Sequence, residues 1–291
     1  MKISKITAQK KRTDRFNVYF FDETGKDTYG FSVDEGVLVK WKLRKGMDLS
    51  QEDIDKINGD DLHKKALNAA ITYLSSSMRT EHQIRHHLLK KEFPEDAVQA
   101  AVNKMKEYKF INDREFAAAF VRTKINTTEK GPVLVKEDLY QKGVPAEEAE
   151  EALLQYTEEI QLEKAVQILQ KKGKKKAGES SKALKNRLLQ MLIRKGFNNH
   201  TAHAAWETAG VETSDEQEWN AIIQHGQKAV KKWNKKYEGK TLHFKIKEHL
   251  YRKSFSLSMI DDYLREFPPE TIDESEGSDE YGEKIQSDDG I

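Results

Sequence analysis

Cysteine is absent from all 291 residues. The chain therefore offers no disulfide, no thiolate metal ligand and no cysteine nucleophile. Long apolar runs are missing too. No stretch approaches the ~20 apolar residues of a membrane span, and Met1-Lys2-Ile3-Ser4-Lys5 lacks the apolar core of a secretory signal. A soluble, cytoplasmic protein with no membrane partner is the expectation. Glycine (16) and proline (5) are few, and apolar residues make up only 37%. That argues against one large α/β enzyme core and for thin helical units, each with a narrow buried stripe. The Gly-rich phosphate loops and the Gly-x-Ser-x-Gly nucleophile elbow are absent as well. Neither a nucleotide cofactor nor a catalytic residue is expected.

Charge of one sign is scarce only in the sum, which is +1 from 50 Lys+Arg and 49 Asp+Glu. Pro268 to Ile291 holds nine acids and one base, leaving +9 on residues 1–267. Between Leu162 and Phe255 there are 21 Lys+Arg against nine Asp+Glu. Runs occur at Lys171-Lys172, Lys174-Lys175-Lys176, Lys231-Lys232 and Lys235-Lys236. A basic body concentrates polyanions and favours nucleic acid or an acidic protein surface. The plainer reading is a set of solvated helix faces. Residues 268–291 read as a disordered acidic tail that aids solubility or competes with DNA for the basic face.

Residues 2–31 read as strands. Phe16, Val18 and Phe20 alternate onto one face, and Asp22-Glu-Thr-Gly25 is a turn. Ser32, with Glu35 three residues on, is expected to cap a short helix ended by Gly46. This small α+β module occupies residues 1–60. From Leu62 onward the pattern is helical and repetitive. Lys91, Lys142, Lys195 and Lys253 each have a leucine three positions before (Leu88, Leu139, Leu192, Leu250). Each also has an apolar residue two positions after (Phe93, Val144, Phe197, Phe255). Seven before stand Ile84, Val135, Leu188 and Ile246; seven after, Val98, Ala149, Ala202 and Ile260; eleven after, Val102, Leu153, Trp206 and Leu264. Such matching marks an internal repeat.

Each repeat reads as a long helix, a middle helix ending at the lysine and a shorter third helix. The long helices are expected near Leu62, Asp113, Leu162 and Ser214. The repeats are assigned to residues 61–110, 111–160, 161–212 and 213–267, followed by the tail at 268–291. The fold class is mainly α: tandem three-helix repeats forming an extended curved solenoid, with the small N-terminal module. That shape suits lying along another long repeating object.

His82 and His86 at i,i+4, and His200 and His203 at i,i+3, lack an obvious third ligand, so no metal site is expected. Phe116, Phe120, Trp206, Trp219 and Trp233 fall on apolar stripes and read as core rather than as base-stacking rings.

Asp113-Arg-Glu-Phe116-Ala-Ala-Ala-Phe120-Val-Arg122, preceded by Tyr108-Lys-Phe-Ile-Asn112, resembles the central signature of the RecX regulatory proteins. So do Lys130-Gly131, Leu139 and Lys142-Gly143-Val144. Upstream, Ala70-Ile-Thr-Tyr73-Leu74, Met78-Arg-Thr80-Glu81 and Ile84-Arg85-His-His-Leu88 are similar to that family's first unit. The specific match covers about residues 65–155; the rest agrees in layout. Glu92 and Ser254 depart from it, standing where the family usually has glycine. The resemblance implies tandem three-helix repeats and a modulator of the RecA recombinase, acting in DNA repair, homologous recombination and the SOS response. It implies a protein that lodges in the groove of the RecA filament on single-stranded DNA, inhibiting strand exchange and ATP hydrolysis; a monomer is the separate expectation. Contact with DNA itself, double-stranded DNA included, is a further expectation. The rival is a free-standing helical-repeat DNA-binding protein without a recombinase partner. The expected contacts are Arg85, Lys90, Lys91, Arg122, Lys124 and Lys130 centrally. Lys174, Lys175, Lys176, Lys231, Lys232 and Lys235 are those of the later repeats.

Overall fold

The computed structural model describes residues 1–10, 12–211 and 214–269. The acidic tail expected from the sequence lies, from Glu270 on, outside the described residues. Strands β1 (Ile3–Ala8), β2 (Arg15–Phe21) and β3 (Asp27–Asp34) form an antiparallel sheet in that order. The alternation seen in the sequence becomes its inner face. Val18 and Phe20 are buried with Ile3, Phe31 and Val33, and Phe16 packs against them. The Asp22 carboxylate closes the β2–β3 turn by accepting from the Thr24 and Lys26 amides at 2.8 and 2.9 Å.

Helix α1 (Glu35–Lys40) follows at once. Its cap is Asp34, which accepts from the Gly36 amide at 2.9 Å, and not Ser32 as expected. Ser32 is still paired with Asn17 in the sheet, and a residue held in a strand cannot begin a helix. Gly46 does not end this helix; with φ +84° it turns the chain so that its amide reaches the Ile3 carbonyl.

Helix α2 (Gln51–Leu74) starts well before the expected Leu62, with a reciprocal capping box between Ser50 and Asp53. It serves two cores. Ile54 and Ile57 complete the core of the sheet module. Ala66 and Ala70 pack with α3 (Glu81–Lys90) and α4 (Glu95–Glu107). Asp61, midway along α2, accepts from both Arg15 terminal nitrogens at 3.1 and 2.8 Å and from the Asp34 amide at 2.7 Å. This almost fully buried pair pins the sheet to the helix.

Three more sets repeat the long–middle–third pattern. They are α5 (Asp113–Thr127), α6 (Pro132–Gln141) and α7 (Ala146–Leu153); α8 (Glu158–Lys172), α9 (Ser181–Arg194) and α10 (Asn199–Ala209); and α11 (Asp215–Trp233), α12 (Gly239–Arg252) and α13 (Leu257–Glu266). The starts at Asp113 and Ser214 agree with the sequence reading; α8 begins earlier than Leu162 because Thr157 caps it. The repeat columns form the cores. Leu88, Leu139, Leu192 and Leu250 are all 0% exposed, and so are Ile84, Val135, Leu188 and Ile246. Each such side chain contributes about 1.5–3 kcal/mol by leaving water. The cores of the first and fourth sets are each drawn mainly from that set's own three helices. The chain divides into two compact units. One comprises Met1–Thr127 and Val135–Gln155; the other comprises Thr128–Leu134 and the chain from Tyr156 onward.

Candidate functional site

Every middle helix ends alike. Lys91, Lys142, Lys195 and Lys253 close the helices, and the next residue is left-handed: Glu92 (φ 63°), Gly143 (77°), Gly196 (88°) and Ser254 (68°). The amides of Phe93, Val144, Phe197 and Phe255 then turn back to the carbonyls of Leu88, Leu139, Leu192 and Leu250. Those bonds are 3.1–3.3 Å long. This is the Schellman ending, with its apolar contact supplied by the repeat columns themselves.

The ending leaves the lysine carbonyl pointing away from its own helix, and the preceding set uses it. Thr80 Oγ1 donates to the Lys142 carbonyl at 2.5 Å, the Gly131 amide to that of Lys195 at 2.6 Å, and Ser180 Oγ to that of Lys253 at 2.9 Å. Thr80 and Ser180 are also the caps of α3 and α9, accepting from the Gln83 and Ala183 amides. One buried hydroxyl thus starts a helix and joins it to the next set. Beside it, the first helical amide donates to a carboxylate of the following long helix: Glu81 to Asp113 at 2.9 Å, Ser181 to Glu218 at 2.6 Å. In the second set the first helical residue is Pro132, which has no N–H to satisfy. Burial raises the Asp113 pKa, against the pull of the Glu81 amide and, more weakly, of Lys106 and His82.

The approach is tight. A Cβ on Gly143 would lie 2.2 Å from His82 Cβ, and one on Gly131 would lie 2.4 Å from the Gly196 carbonyl carbon. Glycine answers two demands at Gly143 and Gly196, a left-handed backbone and a neighbour against it.

The expected contact residues are distributed over several surfaces. Arg85 is tied to Glu95 and Gln99 within its own set. Lys136 with Glu150, Lys185 with Glu207 and Lys247 with Asp261 repeat this brace from middle to third helix. Lys90 and Lys91 are exposed and converge, with Arg79, on His87. The His87 ring stacks on Tyr73 at 3.9 Å, and the Arg79 guanidinium lies 4.6 Å from the centre of the Tyr73 ring. Burial, then Lys91, Arg79 and Lys90, hold the His87 pKa below its usual value. Arg122 is exposed on α5. Lys124 and Lys142 lie over the half-buried Phe120 ring at 5.1 and 5.4 Å, and Lys124 is 3.8 Å from Asp138. Lys130 is half-buried, its carbonyl accepting from Tyr156.

In the second unit, Lys174 and Lys176 stand at the edge of a cleft of about 700 Å³ between the α8–α9 loop and α11, lined also by Gln217, Asn220 and Gln224. Lys175 corrects the sequence reading. It is buried in an ion pair with Glu218 at 2.6 Å, both side chains about one-tenth exposed, and is taken up inside the unit. Lys231, Lys232 and Lys235 are exposed around the C-terminal end of α11, away from that cleft. Phe116 is core, as expected; Trp219 and Trp233 pack against the core of the fourth set. Among the described residues no group of three or more potential ligands is placed to hold a metal, and no helix is long and apolar enough to cross a membrane. Arg79 and Lys142, not singled out as contacts in the sequence, each lie over an aromatic ring. The rings are Tyr73 and Phe120.

Comparison with known proteins agrees with this layout. Residues 1–50 match the RecX N-terminal domain. Residues 66–105, 112–153 and 158–206 match the first, second and third three-helix domains of RecX. The chain is 38% identical over 264 residues to a "Regulatory protein RecX" of Halalkalibacterium halodurans, covering 91% of this chain and 99% of that one. It is 40% identical over 266 residues to the protein of the same name from Bacillus velezensis, covering 91% and 98%. A crystal structure of regulatory protein RecX aligns with a TM-score of 0.59 at 35% identity, over 72% of this chain and 99% of that one.

Proposed function

The chain belongs to the RecX family of regulatory proteins, and we propose that it is a negative modulator of the RecA recombinase. In this reading it binds in the groove of the RecA filament on single-stranded DNA and inhibits strand exchange and ATP hydrolysis. The observation that carries the reading is the recurrence of one joint through four successive sets. A ligand built of equivalent units in tandem suits a partner built of equivalent units in tandem. Once one set is seated, the next meets its site intramolecularly, so affinity accumulates along the chain. A filament must change shape during nucleotide turnover. A ligand that binds one filament state more tightly shifts the population towards that state, and no catalytic residue is required. The exposed cations Lys90, Lys91 and Arg122, with Lys174, Lys176, Lys231, Lys232 and Lys235, are the proposed contacts to DNA phosphate or acidic filament surface.

The test compares affinity for RecA-coated and bare single-stranded DNA and follows DNA-dependent ATP hydrolysis. Tighter binding to the coated strand, with hydrolysis falling as the protein is added, is expected. Tighter binding to the bare strand with hydrolysis unaffected would favour the free-standing DNA-binding rival.

A further inference from the structure

We infer that the exposed face of α12, carrying Lys240, Phe244, Lys247 and Tyr251, is a stacking platform for single-stranded nucleic acid. At 100° per residue these four side chains fall in one narrow stripe along the helix. Phe244 is 64% exposed and Tyr251 58%. The two rings are seven residues apart, about 10.5 Å along the axis, and a lysine stands near each. Lys240 has no acidic partner among the described residues, and Lys247 is braced by Asp261. Beside Phe244 the surface is hollowed by about 430 Å³, lined by Gly239, Lys240, His243 and Lys247. The helix carries Lys240, Lys245, Lys247 and Arg252 against one acid, Glu248, and Lys235 and Lys236 precede it.

The repeat explains why this face is open. Counted back from the terminating lysine, Phe244 occupies the position of His82, whose ring lies against Gly143 of the following set. No set follows the fourth among the described residues. At this position the second set has Val133, 50% exposed, and the fourth a phenylalanine more exposed than buried. An exposed ring flanked by lysines offers what a single strand needs, a flat apolar face for a base and cations for its phosphates. A duplex keeps its base faces stacked inside and gains only the cations. The inference does not depend on the filament reading, because its readout is a bare oligonucleotide.

The experiment titrates full-length protein into fluorescent dT20 and a 20-base-pair duplex, using anisotropy at several salt concentrations. Phe244→Ala and Tyr251→Ala are each expected to weaken dT20 binding about fivefold or more, with duplex binding and the salt slope unchanged. Lys240→Glu should weaken both ligands and flatten the salt slope. In Phe244→Trp, binding should persist and the added indole fluorescence should be quenched at dT20 saturation. Circular dichroism and melting confirm that each variant is folded. Unchanged dT20 affinity in the Phe244→Ala/Tyr251→Ala double variant overturns the inference, as does an indole signal insensitive to dT20. An indole signal that responds to removal of residues 270–291, or to protein concentration, but not to dT20, overturns it in favour of the acidic segment or a second copy.

Discussion

At Gly143 the chain tolerates neither a side chain nor a right-handed backbone. Alanine there would have to keep φ near 77° and push its methyl into His82. Gly143→Ala should lower stability by about 2–4 kcal/mol, from the left-handed penalty and overpacking together. Glu92 holds the same backbone conformation at an exposed position. Glu92→Gly relieves that penalty and should add about 1 kcal/mol. Urea denaturation of the two variants should give opposite signs; a loss in both would refute the shared geometry. A second residue-scale effect concerns His225 and His249. Burial lowers both pKa values. Lys253 and Lys228 add to it at His225, against the pull of the Gly178 carbonyl; His225, Lys253, Lys232 and Arg252 add to it at His249. The unfolded chain, with histidine near 6.5, takes up protons first. The stability these groups contribute is therefore complete above about pH 6.5 and is lost as pH falls towards the depressed folded values. Melting temperature should drop between pH 7.5 and 5.5, and His249→Phe should flatten that slope.

Helix α2 binds two cores, so its midpoint matters more than its ends. Burial pushes the Asp61 pKa up, but Arg15, Lys65 and the Asp34 amide outweigh this and hold it below the ordinary carboxylate value. Asp61→Ala leaves the Arg15 guanidinium buried without its counter-ion, a change that costs about 3–5 kcal/mol. Amide exchange in β2 and β3 should accelerate far more than in α9 or α12; uniform acceleration would argue against a local pin. This helix also shows where element boundaries were hidden. From Gln51 to Asp61 the only apolar residues are Ile54 and Ile57, too sparse for a periodic stripe, and Gly59 follows them. The legible signal was the Ser50–Asp53 pair. At Ser32 the local cap signal was present, and sheet pairing with Asn17 overrode it. Thr80–Gln83 was legible because nothing non-local competed for the role.

For the molecule as a whole, the repeat was readable because buried columns must recur at fixed spacing, whereas a lysine's use depends on what folds against it. Lys175 meets Glu218, 43 residues away, and nothing near Lys175 in the chain separates it from exposed Lys174 and Lys176. Replacing Lys174, Lys176, Lys231, Lys232 and Lys235 together with Glu should weaken binding to the RecA filament about tenfold or more at low salt and flatten its salt dependence. Inhibition unchanged at every salt concentration would remove these lysines from the interface. The joint between sets carries one more consequence. It is heterologous, head to tail, and such contacts have no inherent stopping point. Inner junctions combine a hydroxyl or amide donor with a left-handed residue, glycine in the first two and Ser254 in the third. The fourth set has Glu238 where the donor would stand, and the first has Glu92 at the left-handed position. Like charges at these two positions disfavour a contact of this kind between two copies. The Glu92→Gly/Glu238→Ser pair should remove that repulsion, giving sedimentation coefficients that rise with concentration where the parent chain's do not.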